Sequence, residues 1–119
     1  MNTPSGQEAP YERAIVELSQ LDNFLDEKSR RLIMSSLEPS YSPLPFAYLK
    51  GSTGLSDGNI SGHLTKLEAA GYIVIEKTFE GRKPKTFVVL TNEGRAAIED
   101  YWQRTEEFMD RRKRRPKLW

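Results

Sequence analysis

The sequence predicts a mainly α chain with one small β-hairpin, an α+β arrangement, on three observations. Between residues 45 and 71 a short helical pattern, a glycine and a serine-capped helix follow one another. Over residues 72–90 the apolar spacing changes from 3.6 to 2, broken once by the polar run 80–85. After Thr91 the helical spacing returns and persists to about residue 112.

A chain of 119 residues holds one domain with extensions. Lys and Arg number 18 against 17 Asp and Glu, so net charge alone points to no partner. The distribution is uneven, −3 over residues 1–40, +2 over 41–90 and +2 over 91–119. Positive charge therefore gathers where the capped helix and hairpin lie, an asymmetry suited to a phosphate backbone. Cysteine is absent and histidine occurs once, which excludes disulfides, thiolate metal sites and thiol chemistry. With no clustered carboxylates there is no catalytic set, so neither an enzyme nor a cofactor is expected. No apolar run approaches the roughly 18 residues of a membrane span, and nothing resembles a signal peptide. A soluble cytoplasmic protein without a membrane partner is the expectation.

Taken in order, residues 1–9 read as a disordered lead, rich in Pro, Gly, Ser and Asn and without apolar periodicity. The domain proper spans 10–110. From Pro10, a good first helical residue, Tyr11, Ala14, Leu18, Leu21 and Leu25 recur at 3-4-3-4 spacing and form one apolar stripe. That stripe can dock on the domain or on a second chain. A second helix is expected from a cap at Asp26 to Leu37, with Leu32, Ile33 and Leu37 facing the core and Arg30 and Arg31 solvated outside. Residues 38–45 hold three prolines and read as a connection, with room for a very short edge strand near 42–44.

Pro45 then suits the start of a short helix whose core side carries Phe46 and Leu49, and Gly54 stops it. Ser56 can cap the next helix, over 56–70, and Gly71 can end it in the left-handed conformation. Ile60, Leu64 and Leu67 fall at i, i+4 and i+7 and bury one face. The opposite face carries Gly58, Asn59, Gly62, Thr65, Lys66 and Ala69, almost free of bulk. Gly58 and Gly62 each cost roughly 0.5 to 1 kcal/mol in a helix interior, and close approach to a ligand is one reason to accept them. An ordinary surface helix with a weak first turn is the other reading. The succession of helix, glycine turn and capped helix is nonetheless what a helix-turn-helix requires, the first helix bracing the second against DNA.

Residues 72–79 and 86–90 are the strands of a hairpin, with Ile73, Ile75, Val88 and Leu90 turned to the core and Arg82, Lys83 and Lys85 at the tip. A solvated loop explains two basic residues there; three beside a groove-facing helix favour phosphate or minor-groove contact. Hairpin and helices together make a winged helix-turn-helix. Thr91 caps the last helix and Glu93 complements its dipole. Ile98, Trp102, Thr105 and Met109 form its stripe, broadened by Ala97, Tyr101 and Phe108, more apolar face than a domain this small covers. A second copy of the chain is the expected cover, through a dimer interface of Leu18, Leu21, Ile98, Tyr101, Trp102, Thr105, Phe108 and Met109. The alternative is that the N-terminal helix folds back over it. Residues 111–119 form a basic tail, read as a contact to DNA backbone or to an acidic partner surface, or as a nuclear-import signal.

The run over residues 55–95, LSDGNISGHLTKLEAAGYIVIEKTFEGRKPKTFVVLTNEGR, resembles the winged-helix transcriptional regulators of the multiple-antibiotic-resistance and arsenical-resistance types. It is most similar to the small subgroup with LSDGN at the recognition helix and an EGRKP-like wing. The motifs HLxxLExAGYI, a basic hairpin tip and LTxEGR carry the likeness, which covers residues 21–95 well and the terminal helices only in kind. The resemblance implies a homodimeric regulator of double-stranded DNA, with helix 56–70 in the major groove and wing 76–87 on the backbone or minor groove. Two departures stand out. Many relatives place a long basic residue where Gly62 stands, and the arsenical-type sensors need cysteines and histidines that are absent, so no metal sensing is expected.

Geometry suggests residue roles. Asn59 can pair with adenine, Thr65 can bond a base edge or touch a thymine methyl, and Lys66 can reach guanine or phosphate. Ser56, Gly58, Ser61 and Gly62 complete the helix surface, with Ser61 suited to phosphate, while Arg82, Lys83 and Lys85 supply the wing. His63, about 60° from the core axis, is expected to be half-buried packing. The partners expected are DNA and a second copy, with room for an unidentified small-molecule effector. The competing reading is a winged helix that binds a protein partner and no DNA.

Overall fold

The computed structural model describes residues 23–114. The disordered lead, the stripe residues Tyr11, Ala14, Leu18 and Leu21, and residues 115–119 of the basic tail lie outside them. A single 3₁₀ turn over Asn23–Asp26 leads into α1, Lys28–Leu37. The cap is Glu27 rather than the expected Asp26. Glu27 has extended backbone and its carboxylate accepts from the Arg30 N–H at 3.0 Å, while the turn before it occupies Asp26. Leu25 is fully buried in the domain core.

A two-residue strand, β1 (Leu44–Pro45), runs directly into α2, Phe46–Thr53, which Gly54 ends with φ 72°. The recognition-helix candidate is α3, Asp57–Ala69. Ser56 caps it, its hydroxyl accepting from the Asn59 N–H at 3.2 Å, and Gly71 follows at φ 80°. Strands β2 (Ile73–Glu80) and β3 (Lys83–Leu90) make the wing, and α4 (Asn92–Lys113) closes the described chain. The three strands are antiparallel in the order β1-β3-β2.

The hairpin differs from expectation at its tip. In place of a six-residue loop over 80–85 the strands pair to Glu80 opposite Lys83, so only Gly81 and Arg82 form the turn. Gly81, at φ 65°, supplies the positive φ at the first central position of a two-residue hairpin turn. Lys-Pro-Lys is a poor strand former, but β1 reaches only Phe87 and Val88. Beyond them β3 is a free edge on that side, where a proline is tolerated.

One core unites the elements. Ile60, Leu64 and Leu67 of α3, Leu49 of α2, Ile33, Met34 and Leu37 of α1, and Ile73, Val88 and Leu90 of the wing form a single buried cluster. Ile98 and Tyr101 belong to it, which corrects their assignment to a dimer interface: both are already covered within the protomer. The root of α4 is tightly fixed. Thr91 accepts from the Gly94 N–H at 2.9 Å and donates to the Gly71 carbonyl at 2.6 Å, and buried Gly94 lies against the Tyr72 carbonyl. Arg95 donates to the carbonyls of Glu38 and Ser40 and lies 4.0 Å over the Tyr41 ring, holding the connection that precedes β1.

Candidate nucleic-acid interface

The interface begins with a helix whose two sides have opposite chemistry. On α3 the buried Ile60, Leu64 and Leu67 root one side in the core. Ser56, Gly58, Asn59, Ser61, Gly62, Thr65 and Lys66 are all exposed on the remainder. A Cβ at Gly58 or Gly62 would meet nothing within 4 Å, so both open onto free space. The Thr65 hydroxyl donates to the Ser61 carbonyl at 3.1 Å. That commits its proton, so toward a base edge Thr65 is left an acceptor and a methyl group.

At the start of the helix sits a residue that the sequence reading did not pick out. Lys50, in the last turn of α2, pairs with Asp57 at 2.8 Å across the turn. Both side chains are more than half exposed, so the pair adds little stability. Its effect is electrostatic: it offsets the carboxylate that would otherwise stand alone at the end of the surface richest in small and polar groups. A lysine near a helix C-terminus reads from sequence as a dipole complement, which hides this second role.

On its flank α3 is tied to α1. His63 is half-buried, as expected, with Nε2 3.5 Å from a Glu27 carboxylate oxygen and Nδ1 3.4 Å from the Arg30 guanidinium. A guanidinium can only donate, so the neutral ring accepts at Nδ1 and carries its proton on Nε2, facing Glu27; the protonated ring keeps that Nε2–H and brings a positive charge to the carboxylate. Burial pushes the Glu27 carboxyl up, but the backbone N–H groups of Arg30 and Ser29 and the charges of His63 and Arg30 outweigh it and hold the group below its ordinary range. Arg30 also donates to the Phe24 carbonyl at 2.7 Å and stacks 4.3 Å over the Phe24 ring, and Arg31 donates to the Tyr101 hydroxyl at 2.7 Å. Neither arginine is the solvated side chain the sequence suggested. A planar guanidinium can lie on an aromatic face and donate from its edge, which apolar periodicity does not register.

The wing tip keeps its basic residues in the open. Arg82, Lys83 and Lys85 are exposed, and Lys85 is drawn to Glu80 at 3.1 Å. Arg82 occupies the turn itself. The structure thus collects Ser56, Gly58, Asn59, Ser61, Gly62, Thr65 and Lys66 on one helix and the three basic wing residues on a separate projection. Among the described residues no group of three or more His, Cys, Asp and Glu is placed to hold a metal ion, and no helix is long and apolar enough to cross a membrane.

Comparison with known proteins identifies the fold. A family model described as a winged helix DNA-binding domain matches residues 30–109. An uncharacterized protein of Methanocaldococcus jannaschii is 41% identical over 56 residues, 47% of this chain and 61% of that protein. The match thus spans about three-fifths of that curated relative. A transcriptional regulator homologue from Pyrococcus horikoshii OT3 superimposes with a TM-score of 0.72 at 24% identity, over 82% of this chain and 95% of the other. A MarR-family transcriptional regulator from Rhodococcus sp. RHA1 gives 0.60 at 19% identity, over 87% and 67%. At such identities the two structures establish a shared fold.

Proposed function

The chain belongs to the winged helix DNA-binding domain family, and from that premise we propose that it is a transcriptional regulator which reads double-stranded DNA as a homodimer. The fold is that of MarR-type regulators and not of enzymes. In this reading α3 enters the major groove, where Asn59, Thr65 and Lys66 address base edges and Ser56 and Ser61 address phosphates. The wing lies on the adjacent backbone or minor groove, and the protein works in the cytoplasm, with the DNA. The observation that carries the proposal is the exposed side of α3: polar and basic groups around two glycines that open onto free space, on a helix rooted by three buried aliphatic residues. A large polyanion needs such an unobstructed surface.

The second copy is proposed to cover the outer side of α4. Ile98 and Tyr101 are spent on the core, which leaves Trp102 and Met109 exposed beside the half-buried Thr105 and Phe108. The Trp102 indole N–H donates to the Ser35 hydroxyl at 2.8 Å, so the ring is held in place with part of its surface uncovered.

Selection of bound duplexes from a random pool, followed by gel shift, tests DNA binding, and a single enriched sequence motif is expected. No enrichment and no shift would favour the protein-interaction reading. For the dimer, Trp102→Asp should give a monomer with weakened DNA binding, measured by sedimentation. Wild-type protein that sediments as a monomer at tens of micromolar, far above the Kd of a stable dimer, would rule the homodimer out.

A further inference from the structure

The wing carries an aromatic side chain that the fold does not use. Phe79 is 72% exposed, and its cross-strand partner is Pro84. Side chains alternate along a strand and directly paired residues share a face. Phe79 and Pro84 therefore lie on the face that also carries Ile73, Ile75 and Lys77 of β2 and their partners Leu90, Val88 and Thr86 of β3. The inner half of that face is the floor beneath α3, because Ile73, Val88 and Leu90 share a core with Ile60, Leu64 and Leu67. Its outer half, with Lys77, Thr86, Phe79 and Pro84, runs out beyond the core on the same side of the sheet as α3.

Charge is sorted between the two faces. Glu76 and Glu80 are the only carboxylates in the hairpin sequence, and by register both lie on the opposite face, where Glu80 meets Lys85 at 3.1 Å. The α3 side thus presents a cation, an aromatic ring, a hydroxyl and a proline with no carboxylate among them, and Arg82 stands at its end.

We infer that the wing meets double-stranded DNA through this inner face, with Phe79 packed on the deoxyribose edges of the minor groove and Lys77 and Arg82 directed to the flanking phosphates. The inference rests on the DNA-binding reading above and specifies which surface of the wing makes contact and by what chemistry. Charge complementarity selects the occupant: an apolar protein surface would bury Lys77 and Arg82 without counter-charges, whereas a minor groove offers apolar sugar walls between two rows of phosphates. Minor-groove binders combine apolar side chains with cations, and on this wing the ring lies along the groove wall with the cations to either side. The contact then has two separable parts, since phosphate pairing releases counterions and depends on salt, and the packing of a phenyl ring does not.

The test is a salt series of binding titrations on a duplex that the wild-type protein selects from a random pool, with Phe79→Ala, Phe79→Thr and Lys77→Ala. Both Phe79 variants should bind about tenfold more weakly at every salt concentration while keeping the wild-type slope. Lys77→Ala should instead reduce the slope of log K against log salt by about 0.9. Threonine is a good strand former, and melting curves of each variant report whether the hairpin itself has loosened. Phe79 variants that bind as tightly as wild type, or that weaken only with a reduced slope and a lowered melting temperature, overturn the inference and leave the DNA-binding reading intact. A wild-type protein that selects no duplex and binds no mixed-sequence duplex removes both.

Discussion

Two helical glycines, Gly94 at the root of α4 and Gly62 in the middle of α3, answer to different demands. Neither has a positive φ, so conformational freedom explains neither. Gly94 is buried, and a Cβ there would collide with the backbone carbonyl of Tyr72, the same oxygen that accepts from the Thr91 N–H at 3.0 Å. Gly62 is exposed, and a Cβ there would meet nothing within 4 Å. The first glycine is required by packing inside the protein. The second is unfavourable for the helix and is offset by nothing within the described fold, which turns attention to what lies outside it.

The largest effect that could break this contrast is at Gly94. Substitution with Ala forces a methyl group into the Tyr72 carbonyl and disturbs the hydrogen bond that joins the hairpin to α4. A loss of about 3 kcal/mol is expected, seen as a lower urea midpoint. An unchanged midpoint would mean the hairpin root can retreat at little expense, and the distinction between the two glycines would vanish. The next effect is on binding. Gly62→Leu should leave the urea midpoint near that of wild type yet weaken DNA binding by more than tenfold, which is more than about 1.4 kcal/mol, through steric exclusion from the groove. Equal affinity would show that this side of α3 does not enter the groove.

Much of the scaffold was legible because its signals are local. The caps at Ser56 and Thr91, the stop at Gly54, the left-handed Gly71 and the buried Ile60, Leu64 and Leu67 each follow from residues within one or two turns of each other. What escaped is tertiary. Nothing near Gly94 announces that Tyr72 will lie against it. Arg30 and Arg31 follow a polar pattern, but Phe24 and Tyr101 lie beneath their guanidinium groups. The α4 stripe was correctly seen as apolar, but periodicity cannot divide it between a core and an outer surface, and Ile98 and Tyr101 went to the core. At the candidate interface the exposure of the helix residues was readable from their spacing. Lys50 was not, because its partnership with Asp57 spans the turn between two helices.

The flank of α3 offers a smaller effect that sharpens the contrast, since there the helix is held by charge and not by close packing. Glu27 has a depressed folded-state pKa, so its stabilising contribution is present above the unfolded-state value and is lost as pH falls through the folded-state value. Glu27→Gln should therefore be less stable than wild type at neutral pH, with the two melting temperatures converging as acid protonates the wild-type carboxyl. A gap that persists unchanged below the folded-state pKa would assign the effect to packing. The single histidine, His63, provides an independent reading: its ring NMR resonances should shift in Glu27→Gln, because its Nε2 faces that carboxylate.

The smallest effect is at Gly62 itself, and its sign carries the meaning. Gly62→Ala adds one methyl group pointing into open space on a helix that keeps its core contacts. Better helix propensity and a less entropic unfolded chain should together stabilise the free protein by several tenths of a kcal/mol, roughly the Gly-to-Ala difference for an exposed helix interior. A rise in the urea midpoint would confirm that the fold makes no use of this glycine, as it does of Gly94. A fall would show that the absence of a side chain at position 62 serves the free protein after all, and the steric interpretation of Gly62→Leu would lose its footing. Gly58 gives the same test in the first turn of α3, where its open surroundings predict the same sign. Agreement between the two sites would extend the conclusion from one residue to the whole exposed side of the helix.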